Sequence, residues 1–382
     1  MSRSKVVKRA YRYRFYPTPE QADELNRTFG CVRKVYNLAL EKRTRAWQQE
    51  QRRVSYVETS AMLTGWKKTE ELAFLSEVSS VPLQQTLRHL QTAFSNFWAK
   101  RAAYPTFKSK RKSRPSAEYT RSAFRWRDGQ LTLAKMTAPL GIVWSRPLPD
   151  GAEPSMVTVS RDPAGRWHVS VLVETTVSEP PPTGAVVGID AGITALLTLS
   201  DGKKVSNPKH ERRDQERLAR AQRELAHKAK GSKNRAKARE KVARIYARIA
   251  DRRRDHLHKV TTRLVRENQT IVIEDLNVAG MVRNHSLARA ISDAAWGEMR
   301  RMLAYKADWY GRKLVVVDRF FPSSQTCSAC GYRDGKKPLN VREWTCQPCG
   351  TVHDRDVNAA WNILAAGLAV AACGDGVRPD RR

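Results

Sequence analysis

Residues 186–193 read "VVGIDAGI", an apolar run from Ala185 through Ile189, interrupted by Gly188, that ends on one aspartate, Asp190, set between Gly188 and Gly192. The run predicts a buried strand, and Asp190 stands at its end. Leaving even a neutral polar group unpaired in the interior costs roughly 2–7 kcal/mol, so this carboxylate needs a partner. "TIVIEDLNVAGM", 270–281, repeats the arrangement: Ile271, Val272 and Ile273 precede Glu274. A third acid comes from "HDRDVNAAWNIL", where Asp354 and Asp356 precede Ala359, Ala360, Ile363 and Leu364, a helical pattern whose N-terminus favours negative charge. Three such carboxylates brought together repel one another and hold raised pKa values unless cations neutralise them. Mg²⁺, or Mn²⁺, suits such a site because it keeps open positions for substrate phosphate oxygens. Two such ions about 3.5–4 Å apart activate a water and stabilise the leaving oxygen of a phosphodiester. Gly188 and Gly192 are expected to let the backbone turn tightly and leave room for a nucleic-acid backbone.

Around these strands the order is strand with Asp, a hairpin through the Asp201-Gly202 turn, helices, strand with Glu, then Asp before a helix. That order describes a ribonuclease H-like α/β domain. Its helical part is strongly basic: residues 203–254 hold 20 Lys and Arg against six acidic residues. Leu218, Ala221 and Leu225, then Val242, Ile245, Ile249, Leu257, Val260 and Leu264, form stripes either side of "KGSKN", which predicts a helical hairpin with a basic exterior.

The whole chain carries the same bias. Its 382 residues hold 70 Lys and Arg against 38 Asp and Glu, a net charge of +32, with 41% hydrophobic residues. A folded protein this basic is expected to bind nucleic acid. No apolar run approaches the ~18–20 residues of a membrane span, and "MSRSKVVKRA" does not read as a signal peptide, so we expect no membrane and a cytoplasmic, nucleoid-associated protein of a prokaryote.

Upstream, "AYRYRFY" alternates Tyr11, Tyr13 and Phe15 with Arg12 and Arg14, a half-buried strand. Thr18-Pro19-Glu20-Gln21 then reads as an N-cap, a first-turn proline and a capping-box glutamine, followed by Ala22, Leu25, Phe29, Val32 and Tyr36 at helical spacing. Further helices are expected over 55–70 and along Leu83, Leu87, Leu90, Phe94 and Phe97. "FRWRDGQLTLAKM" and "SMVTVSRDPAGRWHVSVLVE" read as hairpins. Together these predict a β-barrel-like module of residues 1–17 and 101–176 with a helical bundle, 18–100, inserted in it. "VSEPPPTGA", 177–185, is the expected linker.

Six cysteines are present, and four of them form two CxxC knuckles, Cys327 with Cys330 and Cys346 with Cys349. Four thiolates at this spacing are a tetrahedral, closed Zn²⁺ ligand set, structural rather than catalytic. Cys31 and Cys373 read as ordinary thiols.

With these residues placed, the chain resembles the TnpB family, transposon-encoded RNA-guided DNA endonucleases related to the type V CRISPR effectors. The resemblance rests on "GIDAGI", "IEDLNVAGM", "SDAAWGEMRRMLAYKADWYGR", "FPSSQTCSACG" and "REWTCQPCGTVHDRDVNAAWNIL". It implies an α+β multidomain chain: a wedge β-barrel (1–17 and 101–176) with an inserted helical recognition lobe (18–100), then a RuvC nuclease (186–322 and 353–372). A zinc ribbon (323–352) is inserted in the nuclease, and a tail (373–382) follows. It also implies catalytic, magnesium-binding acids at Asp190, Glu274 and Asp356, with Asp354 the neighbouring rival, and zinc on Cys327, Cys330, Cys346 and Cys349. The implied partners are a guide RNA from the transposon end and a target DNA beside a short flanking motif, bound by a monomer rather than a dimer. Tyr56 and Gln84 sit where relatives contact DNA. Three other readings compete: an RNA-guided repressor without cutting activity, a self-sufficient transposase, and a zinc-ribbon RNA-binding protein. The intact acids oppose the first, the lack of a clear helix-turn-helix opposes the second, and the strand-end carboxylates oppose the third.

Overall fold

A computed structural model describes residues 4–338 and 340–372, so the expected tail and Cys373 lie outside the described residues. The chain divides into two compact units, Val6–Thr176 and the part from Val177 onward, which also takes in the residues up to Lys5.

In the first unit, strand β1 (Ser4–Tyr16) buries Tyr11, Tyr13 and Phe15 by simple alternation. Helix α1 (Pro19–Glu50) starts with the expected capping box: the Thr18 side chain accepts from the Gln21 backbone and the Gln21 side chain from that of Thr18. Helices α2 (Tyr56–Trp66) and α3 (Ser80–Trp98) follow, separated by a 3₁₀ turn at Glu70–Ser76. Leu25, Phe29 and Val32 of α1 share one core with Leu83, Leu87 and Leu90 of α3 and with Tyr13 and Phe15 of the sheet.

The remaining strands are β2 (Ser116–Thr120), β3 (Phe124–Arg127), β4 (Gln130–Leu133), β5 (Gly141–Val143), β6 (Pro154–Arg161) and β7 (Trp167–Ser178). Both expected hairpins form, β3 with β4 and β6 with β7. Asp128 and Gly129 turn the first at φ 48° and 72°, the left-handed pair that a two-residue hairpin demands. The expected barrel does not form. The sheet order is β2-β6-β7-β1-β5, with β2 and β5 left as edges and β3–β4 outside the ladder. Closure needs a staggered ladder continuous around the ring, and a three-residue β5 paired only to Arg14–Tyr16 cannot carry it.

The second unit is built on a sheet of order β10-β9-β8-β11-β12. Strands β8 (Val186–Ala191), β9 (Ala195–Leu199) and β10 (Lys204–Ser206) form an antiparallel meander. Strands β11 (Thr270–Glu274) and β12 (Lys313–Val317) run parallel to β8, as helical crossovers require. The first crossover comprises α4 (His210–Arg213), α5 (Gln215–Ala226) and α6 (Lys233–Glu267). The second comprises α7 (Val278–Met281), α8 (Ala288–Ala294) and α9 (Trp296–Trp309). A short hairpin, β13 (Glu343–Thr345) with β14 (Val352–Asp354), leads into α10 (Arg355–Ala372).

The two faces of this sheet separate by residue parity. Val187, Ile189, Ile271 and Ile273 share a core with Leu257, Val260 and Leu264 of α6 and Met299 and Leu303 of α9. Val272, Val315 and Val317 pack with Ile363 and Leu364 of α10. Gly188 lies on the α10 side, where a Cβ would stand 2.1 Å from the Ala360 carbonyl oxygen. Its function is therefore to admit α10, which corrects the expectation of a turn making room for nucleic acid. Gly192 does sit in the tight β8–β9 turn, 2.8 Å from the Ala195 carbonyl oxygen by the same measure.

Candidate active site

Parity and register bring the acids together. Val272 pairs with Gly188 and Ile273 with Ile189, so Glu274 and Asp190 follow side by side on the face that α10 covers. Helix α10 packs along β8 and starts beside their ends, with Asp356 in its first turn. The Asp190 carboxyl is half-buried and receives no hydrogen bond among the described residues. Burial first, then the charges of Glu274 and Asp356, push its pKa to about 8 against the weaker pull of Arg355 and Arg342. Burial also raises Glu274, opposed by a 2.6 Å hydrogen bond donated by the Ser323 hydroxyl. A carboxylate lacking donors and pressed by two more acids is a setting that a divalent cation relieves.

Sequence alone leaves the third acid open between Asp354 and Asp356, and the structure separates their surroundings. Asp354 Oδ1 accepts from the backbone N–H groups of Asp356 and Val357, both at 3.0 Å, and Oδ2 pairs with Lys204 at 2.6 Å. Burial opposes its ionisation, but these donors outweigh it and hold its carboxyl below the ordinary range. Asp354 is thus the cap of α10. Asp356 instead adds its charge to that of Glu274 at Asp190, and its nearest cation is Arg342, at 3.4 Å.

Arg342 and Ser323 escaped the sequence reading. Arg342 precedes β13, whose register sets Glu343 against Asp354, and its carbonyl accepts from the Arg355 N–H at 2.8 Å. That pairing, invisible in a linear reading, carries an exposed guanidinium to Asp356 and to the Thr194 hydroxyl, 3.4 Å away. Ser323 is fixed through its carbonyl by Asn362, and Asn358 and Asn362 of α10 also donate to the Thr326 carbonyl. Two buried asparagines four residues apart inside "VNAAWN" were the available signal.

All four predicted thiols converge, with their sulfurs within 4.8 Å of one another. Cys327 and Cys349 Sγ are 3.7 Å apart, and Cys330 and Cys346 Sγ 3.6 Å. A tetrahedron with Zn–S bonds near 2.3 Å has edges of about 3.8 Å, whereas a disulfide would need about 2.05 Å, so the sulfurs fit zinc. His353 Nε2 lies 3.0 Å from Cys327 Sγ, a neighbour of the kind that orients a metal ligand from outside its shell. This histidine was not anticipated either.

The expected basic hairpin is present: α5 and α6 pack through Leu218, Ala221, Val242, Ile245 and Ile249. Arg217, Arg220, Lys237, Arg239 and Arg248 remain exposed. In the other unit, Tyr56 and Gln84 touch: the Tyr56 hydroxyl donates to Gln84 Oε1 at 3.2 Å, the Ser60 hydroxyl does so at 3.1 Å, and the Arg88 guanidinium lies over the Tyr56 ring. No helix among the described residues is long and apolar enough to cross a membrane.

Residues 168–285 match a family described as "Probable transposase" (OrfB of IS605 type), residues 296–363 a "Cas12f1-like, TNB domain", and residues 1–52 a "Helix-turn-helix domain". Among the described residues of the last segment there is one strand and an unbroken 32-residue helix, with no turn between two helices. A Streptomyces pristinaespiralis protein named "Putative RNA-guided DNA endonuclease" is 72% identical over 98% of this chain and 93% of its own length. An Escherichia coli K12 protein, "Putative RNA-guided DNA endonuclease InsQ", is 36% identical over 97% and 95%. Among solved structures, a Cas12f1–sgRNA–target DNA complex contains a chain of similar fold, with a TM-score of 0.58 at 13% identity, covering 94% of this chain and 98% of that one. The mixed α/β multidomain fold with its four-cysteine cluster is therefore Cas12f-like, and the chain belongs to the TnpB (OrfB, IS605-type) family.

Proposed function

We propose that this chain is an RNA-guided, metal-dependent DNA endonuclease of a transposable element. It cleaves DNA complementary to a guide RNA, beside a short flanking motif, by two-metal phosphodiester hydrolysis. The observation that carries the reading is Asp190, a donor-free carboxyl raised by burial, Glu274 and Asp356. The strand order β10-β9-β8-β11-β12, three antiparallel and two parallel strands, supports a ribonuclease H-like (RuvC) nuclease of residues 186–322 and 353–372 with residues 323–352 inserted as a zinc ribbon. Asp190, Glu274 and Asp356 would hold the divalent cations, which supply activation of a water and charge neutralisation at the leaving oxygen.

The chain's own groups prepare that site. Ser323 orients Glu274, and the Asp354 cap fixes the start of α10 so that Asp356 faces its partners. Arg342, exposed beside Asp356, offers N–H donors to a phosphate. Cys327, Cys330, Cys346 and Cys349 hold a structural zinc, and the asparagines of α10 tie the ribbon to the site. The partners are a guide RNA from the transposon end and the target DNA, on a monomer in the cytoplasm, with Tyr56 and Gln84 at the flanking DNA motif.

The test is cleavage of two plasmids by protein carrying one of two guide RNAs in Mg²⁺. Each guide should direct cutting only to its matching plasmid. Asp190→Asn, Glu274→Gln and Asp356→Asn should each abolish cutting and retain the RNA. Cutting that ignores the guide, or survives digestion of the RNA, refutes the proposal.

A further inference from the structure

The site above makes no use of a group of aromatic side chains at the C-terminal ends of α1 and α3. Trp47 of α1, Phe97 and Trp98 of α3, and Tyr104 beyond it line a cavity of about 290 Å³ with Arg43 and Arg53. Aromatics that serve only as core are covered, yet Trp47 and Trp98 are each 45% exposed and Tyr104 40%. Their positions are nonetheless held. Phe97 and Tyr104 meet edge to face at 5.2 Å, and the Tyr104 hydroxyl lies 2.9 Å from that of Thr44.

The three arginines at the cavity differ in what they have left to offer. Arg43 is spent inside, on the Val54 carbonyl and Gln91 Oε1. Arg52 neutralises Glu50 and Glu58, the nearby acids. Arg53 meets no carboxylate among the described residues, and its guanidinium lies 5.3 Å from the Trp98 ring centre and 5.9 Å from that of Trp47. Two exposed indoles flanking a cation with free N–H donors match a flat ring joined to an anion: the ring stacks on indole and the guanidinium meets the phosphate. A methylated ammonium would be repelled by Arg53, and a purely apolar ligand would strand its donors.

We propose that this cavity takes one unpaired base of a single-stranded RNA, stacked on Trp98 and Trp47, with Arg53 on its phosphate. The choice of RNA rests on the RNA-guided reading; the stacking site does not. The probe is a short labelled oligonucleotide of mixed sequence, offered to RNA-free protein as single-stranded RNA, as single-stranded DNA and as duplex DNA. Trp98→Leu keeps an apolar side chain and removes the π face. It should weaken both single strands roughly tenfold, leave the duplex unchanged, and leave the salt dependence of affinity unchanged. Trp98→Phe should restore most of the loss. Arg53→Leu should lower the slope of log affinity against log salt for RNA by about 0.7. Ultraviolet crosslinks from RNA bound to the wild-type protein should fall on Trp47, Trp98 or Tyr104. Unchanged single-strand binding by Trp98→Leu, an equal loss on duplex, a loss confined to the DNA strand, or crosslinks only elsewhere would each overturn the proposal. Guide-directed cutting by the wild type is scored separately, so a failure of the RNA-guided reading is distinguishable from a failure of this site.

Discussion

At the residue scale, two aspartates separated by one arginine stand in different surroundings. Asp354 is surrounded by donors: two backbone N–H groups and Lys204. Asp356 acts on Asp190, with Arg342 its only close cation among the described residues. Removing a helix cap costs about 1 kcal/mol, up to ~2, and leaves the chemistry in place. Asp354→Ala should therefore lower the melting temperature by a few degrees and cut more slowly, whereas Asp356→Ala should melt near the wild-type temperature and not cut. Thermal melts and single-turnover cleavage of guide-matched DNA decide this; cutting by Asp356→Ala but not by Asp354→Ala would move the third acid by two positions. Asp190 and Glu274 were legible in the sequence because an acid closing an apolar run is a local anomaly. The choice between Asp354 and Asp356 was not legible from the residues alone. It depends on Lys204, a residue 150 positions away.

At the element scale, α10 is the part that assembles the site, and it can do so because Gly188 has no side chain to hold it off. Its asparagines anchor the chain entering the four-cysteine segment, and His353 of β14 lies against Cys327 three residues before Asp356. Zinc in small modules contributes folding free energy of order 10 kcal/mol. Cys346→Ser should thus lose the metal, speed amide exchange over residues 323–356 and free Arg342 from Asp356. Metal analysis and hydrogen exchange check this, and a zinc-free wild type or unchanged protection in the variant would refute it. The helical crossover carries a second test. Lys306 of α9 is buried and donates to the His258 carbonyl and to the Thr261 and Thr262 hydroxyls of α6. Burial, with Arg266 assisting, depresses its pKa from 10.5 to about 8. Between those values the unfolded chain binds more protons than the folded one, so stability should rise with pH across that window. Measured against Lys306→Met, the wild type should gain up to about 3 kcal/mol from pH 8 to 10.5; parallel curves would show that Lys306 titrates normally. Elements with strong periodicity, such as α1, α6 and the β6–β7 hairpin, were readable from the sequence. The barrel was not, because closure depends on whether edge strands meet, and a three-residue β5 has no local signature of that failure.

At the scale of the whole molecule, the surplus of positive charge is distributed in a way that argues about specificity. The α5–α6 hairpin turns its apolar stripe inward and leaves Arg217, Arg220 and Arg248 exposed, while Arg252 and Arg253 are committed to Asp214 and Asp293. Such a surface reads phosphate, which carries no sequence information. Ser4–Tyr16 and Pro19–Glu50, where a recognition helix would be needed, form a strand and one continuous helix instead. The protein without RNA should therefore bind duplex DNA with little discrimination and a steep salt dependence, log affinity falling by about 0.9 per neutralised phosphate for each log unit of salt. Replacing Arg217, Arg220 and Arg248 by alanine should flatten that slope by up to about 3 units, because each guanidinium displaces at most one condensed counterion. It should weaken unrelated duplexes equally, because no base edge is being read. Fluorescence anisotropy over a salt series, with two unrelated duplexes, makes the measurement. A slope untouched by the triple substitution would remove the hairpin from the interface. A strong preference of the RNA-free protein for one duplex would mean that the protein, and not its RNA, reads the sequence, which is the behaviour expected of a self-sufficient transposase.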